Sequence, residues 1–369
     1  MEEHYIGVDL GGTKILAGIF DADTRCLATE KTKTKSEHGY DAVCARIVSA
    51  VRSAAESAGI DLAKVTGAGI GAPGSISSDE SSVLFAPNLG WRDVPLKADL
   101  EAQLGCPVWL GNDCNVAATG IHRHELEAKP NDLVSIFLGT GIGAGIISNG
   151  VFLTGATRAA GEVGHMILDP NGPICRCGTS GCFEALASRT AIFNKVKSAV
   201  NDGGELTQLM EADDDSVTRI RSGKLRRAIE AGDKLAVRVL DETCFYTGLA
   251  IANLCNLLNP EVVALGGGLI EQLHTVMLPK IRDAALERIM PGARQVRIMA
   301  TTLGDAADYL VEQSTALLLM YGDDVIGVDG DVGDIVGGQD ATGASANGRA
   351  GIGPGLEGVV RLRRRYPSA

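Results

Sequence analysis

Two glycine-rich turns in the sequence combine the groups that hold phosphate. Residues 9–14 read DLGGTK and residues 139–143 read GTGIG. Backbone amides at glycine can approach phosphate oxygens, the hydroxyl of Thr13 can donate a hydrogen bond to them, and Asp9 can orient a hydrated Mg²⁺ ion. Each turn alone is also typical of an ordinary hairpin, whereas two facing turns could clamp a nucleoside triphosphate.

A third turn, GGG at residues 266–268, could let the base and ribose of a nucleotide lie against the backbone. None of the three turns matches a P-loop or a GxGxxG sequence that opens a helix. We therefore predict an ATP and phosphate site of another type. The predicted contacts are Asp9, Gly11, Gly12, Thr13, Lys14, Thr140, Gly141, Gly266, Gly267 and Gly268.

Asp113 stands where an apolar strand passes into a helix. One interpretation of this position is a helix N-cap. The other is a general base that faces the phosphate turns and takes the proton of a substrate hydroxyl as this hydroxyl attacks the γ-phosphorus of ATP. Both interpretations can hold for the same carboxylate.

One imidazole and three thiols fall within 18 residues, at His165, Cys175, Cys177 and Cys182. Such a set closes a tetrahedral Zn²⁺ site and would fix a loop that lacks a core of its own. A disulfide between Cys175 and Cys177 is the alternative, although it closes a very tight ring and leaves Cys182 unpaired. We predict a structural zinc because four protein ligands leave no coordination position open.

Two acids, Glu162 and Glu184, flank the predicted metal loop. They are either ordinary surface acids or, if the metal holds them beside a pocket, acceptors of hydrogen bonds from sugar hydroxyls. We interpret the cysteines outside the loop as small buried hydrophobic residues. These are Cys26, Cys44, Cys106, Cys114, Cys244 and Cys255.

Apolar patterning places the first motifs at the ends of strands. Residues 4–20 read as strand, turn and strand, with a third strand near Cys26–Lys31. Periodicity then predicts the elements of an α/β domain, in which sites gather at strand ends. They are a helix over 41–58, a strand over 65–74, a helix over 96–104, a strand over 107–110 and a helix from about Cys114.

The pattern of strand, glycine turn and strand returns from residue 132, with an offset of 140 − 13 = 127 residues between Thr13 and Thr140. This repetition favours an internal repeat of half-domains. Residues 171–182 are too rich in Gly and Cys for regular structure. The predicted elements that follow are a helix over 233–258, a strand over 261–265, a helix after the GGG turn, a strand over 296–300 and a helix over 306–321.

Length and charge narrow the function classes. A chain of 369 residues fits two domains or one bilobal fold. It carries 34 Lys and Arg against 46 Asp and Glu, a net charge of −12, and has no basic block before RRR at 363–365. This balance argues against nucleic acid as a partner and favours an acidic enzyme of small molecules.

The start of the chain, MEEHYIGVDL, has acids where a signal peptide has basic residues, and no apolar run approaches about 18 residues. We therefore expect a cytoplasmic protein with no membrane partner. Disulfides are rare in the cytoplasm. Residues 323–369 contain 11 Gly and six Asp but no Phe or Trp. We predict a disordered tail there, with docking of residues 359–362 as the alternative.

Taken together and in this order, the motifs resemble those of the ROK family of sugar kinases, within the actin/hexokinase-like superfamily. The resemblance runs over about residues 1–321. It rests on DLGGTK at 9–14, GAPG at 71–74, GND at 111–113, GTGIGAG at 139–145, GEVGH at 161–165, CRCGTSGCFE at 175–184 and GGG at 266–268.

The resemblance implies a two-lobed α/β fold, that of the ribonuclease H-like ATPases, with a structural zinc loop over 165–182. The expected lobes are residues 1–120 and 121–321, followed by the tail over 322–369. The implied cofactors are ATP, Mg²⁺ and structural Zn²⁺, and the implied partners are a sugar, a nucleotide and further copies of the chain in a homodimer or homotetramer.

The resemblance also implies roles for individual residues. Asp113 would be the catalytic base, and the zinc ligands would be His165, Cys175, Cys177 and Cys182. The implied sugar contacts are Asn88, Asn112, Asp113, Glu162, His165 and Glu184. His165 would then serve the metal through one ring nitrogen and a sugar hydroxyl through the other.

The segment APNLGW at 86–91 and the full cysteine set are more similar to glucokinases than to N-acetylmannosamine kinases or fructokinases. The implied reaction is phosphorylation of glucose at its 6-hydroxyl. The alternatives are a kinase for another hexose and a catalytically silent sugar sensor. Repressors of the family carry a helix-turn-helix ahead of the first glycine turn, and we expect none here because Asp9 stands so early.

Two segments depart from the family pattern, at 119–125 and at 157–160. Neither includes the implied base or a zinc ligand. Arg158 in the second segment could alter closure of the pocket or its specificity.

Overall fold

The computed structural model describes residues 3–23, 25–210 and 219–302. Its first sheet has five strands in the order β3-β2-β1-β4-β8. These strands are β1 (His4–Leu10), β2 (Lys14–Asp21), β3 (Cys26–Lys33), β4 (Val65–Ala72) and β8 (Val108–Asn112). Strands β1, β2 and β3 are joined antiparallel, whereas β4 and β8 continue the sheet in parallel to β1. The predicted meander of three strands is therefore confirmed.

Two helices cover this sheet, α1 (Tyr40–Ala58) and α2 (Leu96–Leu104). Along α1 the buried residues Val43, Ile47 and Val51 recur every fourth position, so one apolar stripe packs against β2 and β3. The helix ends at Gly59, whose φ of 70° is the left-handed conformation that glycine adopts readily.

A small third sheet lies between β4 and α2 and was not predicted. It consists of β5 (Ser75–Ile76), β6 (Val83–Ala86) and β7 (Trp91–Val94), joined antiparallel in the order β5-β6-β7. Strands of two and four residues are too short to show an alternation of apolar and polar side chains. Glu80 lies in the turn between β5 and β6.

The second large sheet repeats the topology of the first, in the order β11-β10-β9-β12-β13. Its strands are β9 (Leu133–Leu138), β10 (Ile142–Ser148), β11 (Val151–Phe152), β12 (Val262–Gly266) and β13 (Arg297–Ala300). As in the first sheet, three strands pair antiparallel and two more follow in parallel. The predicted repeat of strand, turn and strand thus belongs to a repeat of whole sheets.

Helices surround this second sheet and connect it to the first. They are α3 (Asp113–Gly120), α4 (Phe183–Ala187), α5 (Arg189–Asn201), α6 (Ser222–Glu230), α7 (Lys234–Leu258) and α8 (Gly268–Leu286). A single π-helical turn, Ile121–Glu125, extends α3. The patterns that we used predicted α7 and α8 but not α4, α5 or α6.

The two large sheets have separate hydrophobic cores. One runs from Ile6 to Leu110 in the chain, and the other runs from Val134 to Ile298. The expected lobe boundary at 120 and 121 falls between them and remains a prediction. The helix predicted over 306–321 and the tail predicted over 322–369 lie outside the described residues. In the part of the chain that is described, no helix has both the length and the apolar character needed to cross a membrane.

Candidate active site

Helix α3 packs directly on strand β10, and two glycines permit the approach. A Cβ atom at Gly143 would lie 2.4 Å from the Sγ atom of Cys114, and one at Gly145 would lie 2.4 Å from the Cβ atom of Ala118. Cys114 and Ala118 are one helical turn apart and share a face. The glycines of GTGIGAG at 143 and 145 are therefore required for helix packing, which fixes the start of α3 against the second sheet.

Asn112, the last residue of β8, is the N-cap of α3. Its Oδ1 atom accepts a hydrogen bond from the backbone N–H of Asn115 at 3.1 Å, and its Nδ2 atom donates to the carbonyl of Gly74 at 3.0 Å. The interpretation of Asp113 as the N-cap was therefore wrong by one residue. The strand runs two residues beyond the predicted end at 110, which places Asn112 in the capping position.

Asp113 is the first helical residue of α3, and its Oδ1 atom accepts a hydrogen bond from the backbone N–H of Cys114 at 2.8 Å. Burial raises the pKa of Asp113 to about 6; the N–H of Cys114 lowers it and the negative charge of Glu162 raises it further. A carboxylate with a pKa near 6 binds a proton more strongly than an exposed one yet is ionised at neutral pH. These are the properties of a general base.

A cavity opens between elements of the two large sheets, next to the start of α3. It is lined by residues 74–76, Asn112, Cys114 and Asn115 and by Gly143, Ala144 and residues 158–162, while Asp113 is not among its lining residues. Two of the predicted sugar contacts, Asn112 and Glu162, thus face a common space. Amide and carboxylate groups together are suited to binding a ligand with several hydroxyl groups.

Acidic groups converge on Cys114, which also lines this cavity. Burial raises the pKa of the Cys114 thiol well above its ordinary value, and the negative charges of Asp113, Glu162 and Asp9 add to this effect. The interpretation of Cys114 as a buried apolar residue was wrong, because the residue is only partly buried, as is Cys26. The interpretation is confirmed for Cys44, Cys106, Cys244 and Cys255, all of which are buried.

The turn between β9 and β10 is tied to helices α4 and α5. The Oε2 atom of Glu184 accepts a hydrogen bond from the backbone N–H of Ile142 at 2.9 Å. A Cβ atom at Gly141 would lie 2.3 Å from the same oxygen, so a larger residue there would displace the Glu184 carboxylate from this hydrogen bond. Glu184 therefore supports the predicted phosphate turn and is not among the residues that line the cavity.

Arg189 is a residue of this turn region that sequence analysis missed. Its Nη2 atom donates to the hydroxyl of Thr140 at 2.5 Å, and the hydroxyl of Thr190 donates to the carbonyl of Thr140 at 2.7 Å. Because the Thr140 oxygen accepts from Arg189, its own proton stays available for a phosphate oxygen. No local motif surrounds Arg189, so only the contact across 49 residues reveals it.

The turn between β1 and β2 is held closely from both sides. The hydroxyl of Thr34 donates to the carbonyl of Gly11 at 2.6 Å, and the backbone N–H of Gly11 donates to the carbonyl of Lys14 at 2.9 Å. A Cβ atom at Gly12 would lie 3.2 Å from that of Asn88. Asn88 therefore stands against the first phosphate turn, and it does not line the cavity that contains Asn112.

The glycines of the GGG turn have structural reasons of their own. Gly266 ends β12, and a Cβ atom there would lie 3.0 Å from the ring of Phe137. Gly267 has a φ of 82°, and its Cβ atom would lie 2.7 Å from the carbonyl oxygen of Leu138. Packing against β9 thus accounts for the first two glycines, while Gly268 at the start of α8 has more open surroundings.

His165, Cys175, Cys177 and Cys182 form one cluster whose four ligand atoms all lie within 4.8 Å of one another. The Nδ1 atom of His165 is 3.8 Å from the Sγ atom of Cys175, and the Sγ atoms of Cys177 and Cys182 are 3.6 Å apart. Two sulfurs bound to one tetrahedral Zn²⁺ are about 3.8 Å apart. The donor set and its spacing therefore fit zinc, and none of the described cysteines forms a disulfide.

The ends of the cysteine and histidine cluster lie close in sequence to Glu162 and Glu184. His165 follows Glu162 by three residues, and Cys182 precedes Glu184 by two. The loop closes through a hydrogen bond of 2.8 Å from the N–H of Phe183 to the carbonyl of Met166. His165 directs Nδ1 to the cluster and is not among the residues that line the cavity, so its contact with a sugar remains a prediction.

Comparison with known proteins assigns the chain to a family. The sequence pattern of the ROK family matches residues 5–310. The chain belongs to the ROK family. Its α/β architecture with two large sheets is accordingly the actin-like ATPase fold, as we predicted.

Two of the similar proteins are glucokinases. The glucokinase of Halalkalibacterium halodurans is 34% identical over 307 residues, which cover 82% of this chain and 92% of that protein. The crystal structure of a ROK family glucokinase from Streptomyces griseus, in complex with glucose and AMPPNP, has a TM-score of 0.72 and 34% identity. That alignment covers 85% of this chain and 98% of the other.

The similar proteins also include repressors. The xylose repressor of Caldicellulosiruptor bescii is 33% identical over 224 residues. The match covers 61% of this chain and 55% of that protein, so the chain spans less than two thirds of its length.

Proposed function

We propose that the protein transfers the γ-phosphoryl group of ATP to the 6-hydroxyl of glucose. The chain is a hexokinase-type kinase of the ROK family, and the proposal adds its substrate and its base. The observation that carries it is Asp113, a carboxylate with a pKa of about 6 at the start of α3, between Asn112 and Cys114, which both line a cavity with polar walls. A base that is ionised at neutral pH fits the removal of a hydroxyl proton during phosphoryl transfer.

In this mechanism the sugar occupies the cavity between Asn112 and Glu162. Asn112 is held by its bonds to Gly74 and Asn115, so its polar atoms are already oriented by the fold. Asp113 takes the proton of the 6-hydroxyl while the hydroxyl oxygen of the sugar attacks the γ-phosphorus in line. Closure of the cavity excludes water, which the same base would otherwise activate for hydrolysis of ATP.

The two turns at 11–13 and 139–141 would hold the phosphates of ATP. The backbone amides and the hydroxyls of Thr13 and Thr140 are the donors, and Arg189 orients the second hydroxyl. Asp9 would hold a hydrated Mg²⁺, which supplies neutralisation of the phosphate charge when bound. Its carboxylate is close enough to the Asp113 region to affect the pKa of Cys114, as this role requires.

His165, Cys175, Cys177 and Cys182 would hold a structural Zn²⁺. Four protein ligands complete a tetrahedral site, so the metal contributes stability and leaves no position for substrate. Through its loop the cluster would position Glu162 beside the sugar and Glu184 behind the phosphate turn.

A second candidate function is a sugar sensor without catalysis. Similarity to a xylose repressor favours it, because the alignment with that protein covers 61% of this chain at 33% identity. Asn112 and Glu162 could bind a sugar in either case. The two functions differ in Asp113, which a sensor does not need.

A coupled assay of ADP release tests the proposed function. Protein with confirmed zinc content is mixed with Mg·ATP and with glucose, mannose, fructose, N-acetylglucosamine or N-acetylmannosamine, next to a blank without sugar. We expect turnover that depends on glucose. Turnover on a different sugar retains the mechanism and replaces the substrate, whereas no turnover above the blank with all five supports the sensor.

A further inference from the structure

One ion pair joins the small sheet to the loop that leads to Glu162. An Nη2 atom of Arg158 donates to the Oε1 atom of Glu80, and each side chain is only 23% exposed. Glu80 lies in the turn between β5 and β6, and Arg158 lies in the loop after β11. The pair therefore bridges two segments that are 78 residues apart in the chain.

Both partners have a backbone conformation that is rare for residues other than glycine. The φ angle is 55° at Glu80 and 60° at Arg158. Non-glycine residues in this region cluster where the surrounding structure imposes a defined arrangement, often at functional sites. Two turns with unusual backbones thus present their side chains to each other.

Hydrogen bonds hold each of the two turns in place. In the first, the N–H of Glu80 donates to the carbonyl of Ser77 at 2.9 Å, and the carboxylate of Asp79 accepts from the hydroxyl of Ser77 at 2.6 Å. In the second, the N–H of Ala160 donates to the carbonyl of Thr154 at 2.9 Å. Ion-pair formation therefore connects two preformed turns.

The ion pair stands at the boundary between two compartments. Arg158 lines the cavity of Asn112 and Glu162, and it also lines an adjoining cavity whose wall includes Glu80. The adjoining compartment is largely apolar, with walls formed by Ile76, Leu110, Val116 and Phe152. Ile76, Asn112, Asn115 and Arg158 line both cavities, and Arg158 is the charged residue among them, so its guanidinium group stands beside the path of a sugar substituent into the apolar compartment.

We propose that the Glu80–Arg158 ion pair is a specificity-determining clasp. It closes the sugar cavity against the adjoining apolar compartment, so that an unsubstituted hexose fits and an N-acetylated hexose is rejected. It also holds the loop that carries Glu162. The proposal rests on the proposed function, since it concerns the sugar that the kinase accepts.

The energetics of a largely buried ion pair give the clasp its effect. A charged group that loses its partner in such surroundings remains poorly solvated. Forcing an acyl group between Glu80 and Arg158 would therefore break the pair at a cost that the apolar contacts of a methyl group only partly offset. With the Arg158 side chain removed, the same acyl group meets an open apolar space.

The test compares kcat/KM for glucose and for N-acetylglucosamine in wild type, Arg158→Gly, Glu80→Gly and the double variant. Glycine suits the positive φ at both positions, so the variants keep the backbone conformation. Arg158→Lys keeps the charge, and Lys195→Ala is the control, because it removes the ion pair with Glu242 on α5 and α7, away from the cavity. Melting temperature and zinc content verify folding.

We expect Arg158→Gly to lower the preference for glucose over N-acetylglucosamine at least about tenfold, mainly through KM of the sugars, with KM of ATP unchanged within twofold. Arg158→Lys should restore part of the preference, and the double variant should lose less than the sum of the single changes. If a folded Arg158→Gly protein keeps a preference for glucose over N-acetylglucosamine within twofold of wild type, the inference is overturned while the proposed function stands. The same holds if Lys195→Ala lowers this preference as much as Arg158→Gly does. A wild type that phosphorylates no sugar would overturn the proposed function and the inference together.

Discussion

At the scale of single residues, the proposed reaction depends on the protonation state of Asp113. Its carboxyl group accepts one backbone hydrogen bond, and burial raises its pKa to about 6. A general base acts only when it is ionised. Its pKa therefore connects the structure to the pH dependence of the reaction.

We expect kcat/KM for glucose to rise with pH and to level off above an apparent pKa near 6. Below that pH Asp113 is protonated and cannot take the hydroxyl proton. Initial rates between pH 5 and 8 at limiting glucose measure this rise in kcat/KM. The pH dependence of kcat/KM reports the pKa values of ionisable groups in the free enzyme. Bound zinc is measured at each pH as the control, and a flat profile from pH 5 to 7 would contradict the assignment.

The same pKa predicts that Asp113→Asn stabilises the protein at neutral pH. The folded pKa of about 6 exceeds the ordinary aspartate pKa of 3.8, so the contribution of the native carboxyl to stability is complete below about pH 4 and is lost as pH rises through 6. The shift limits the gain at pH 7 to about 3 kcal/mol.

Urea denaturation of wild type and Asp113→Asn at pH 4 and pH 7 measures this difference. The amide oxygen of Asn can still accept from Cys114, so the hydrogen bond is matched between the two proteins. The variant should be more stable at pH 7 and similar to wild type at pH 4. A loss of stability at pH 7 would show that the carboxylate is structurally required.

Sequence patterns located most of these residues but not their contacts. Asp113 and Glu162 were singled out by residue type and spacing in local motifs, and the family resemblance added Asn112. Arg189 and the partner of Arg158 are defined by contacts with Thr140 and Glu80 across 49 and 78 residues, and no local pattern records such contacts.

At the scale of elements, the contact between α3 and β10 sets the position of Asp113. We expect Gly145→Ala to destabilise the protein by about 1–3 kcal/mol, because its Cβ atom would lie 2.4 Å from that of Ala118 and the helix must move. kcat should fall with it, since α3 begins at the base. Denaturation and glucose turnover measure the two effects.

Two further variants make the prediction for Gly145 specific. Ala118→Gly removes the opposing Cβ atom, so the double variant should be more stable than the sum of the single changes. Gly292→Ala is the control, because no atom lies within 4 Å of a Cβ at that position. Additive single effects, or an equal loss in Gly292→Ala, would contradict the packing argument.

The metal loop is the other element that positions the site. We expect one zinc per chain in the wild type and none in Cys177→Ser, because three ligands hold the ion much less tightly than four. A loss of about 3 kcal/mol would lower Tm by roughly 4–5 °C in a chain of this length. Elemental analysis and thermal unfolding measure both quantities, with Cys26→Ser outside the cluster as the control. Wild-type protein purified without chelators and free of zinc would contradict the assignment.

Elements with strong periodicity were predicted well. The helix Leu96–Leu104 has the predicted bounds, and the long helix begins one residue after the predicted start because Asp233 is its N-cap. The strands of the small sheet were missed because they contain only two to four residues. The glycines at 266 and 267 were interpreted as nucleotide contacts, yet packing against β9 already requires them.

At the scale of the whole molecule, two sheets with the same topology and separate cores flank the cavity. We propose that residues 1–120 and 121–321 form two lobes that close on sugar and Mg·ATP. Helix α3 leaves the first sheet and packs on the second, so the base lies where the two lobes meet. Such an arrangement lets closure assemble the base, the sugar and the γ-phosphate together.

The most direct test of this account is the turnover of glucose by wild type and by Asp113→Asn, with glucose affinity measured in both by calorimetry. We predict that the variant loses at least about 10³ in kcat, within the range for general-base catalysis, while the Kd for glucose changes less than about threefold. A variant that keeps a tenth or more of wild-type turnover would remove Asp113 from the mechanism.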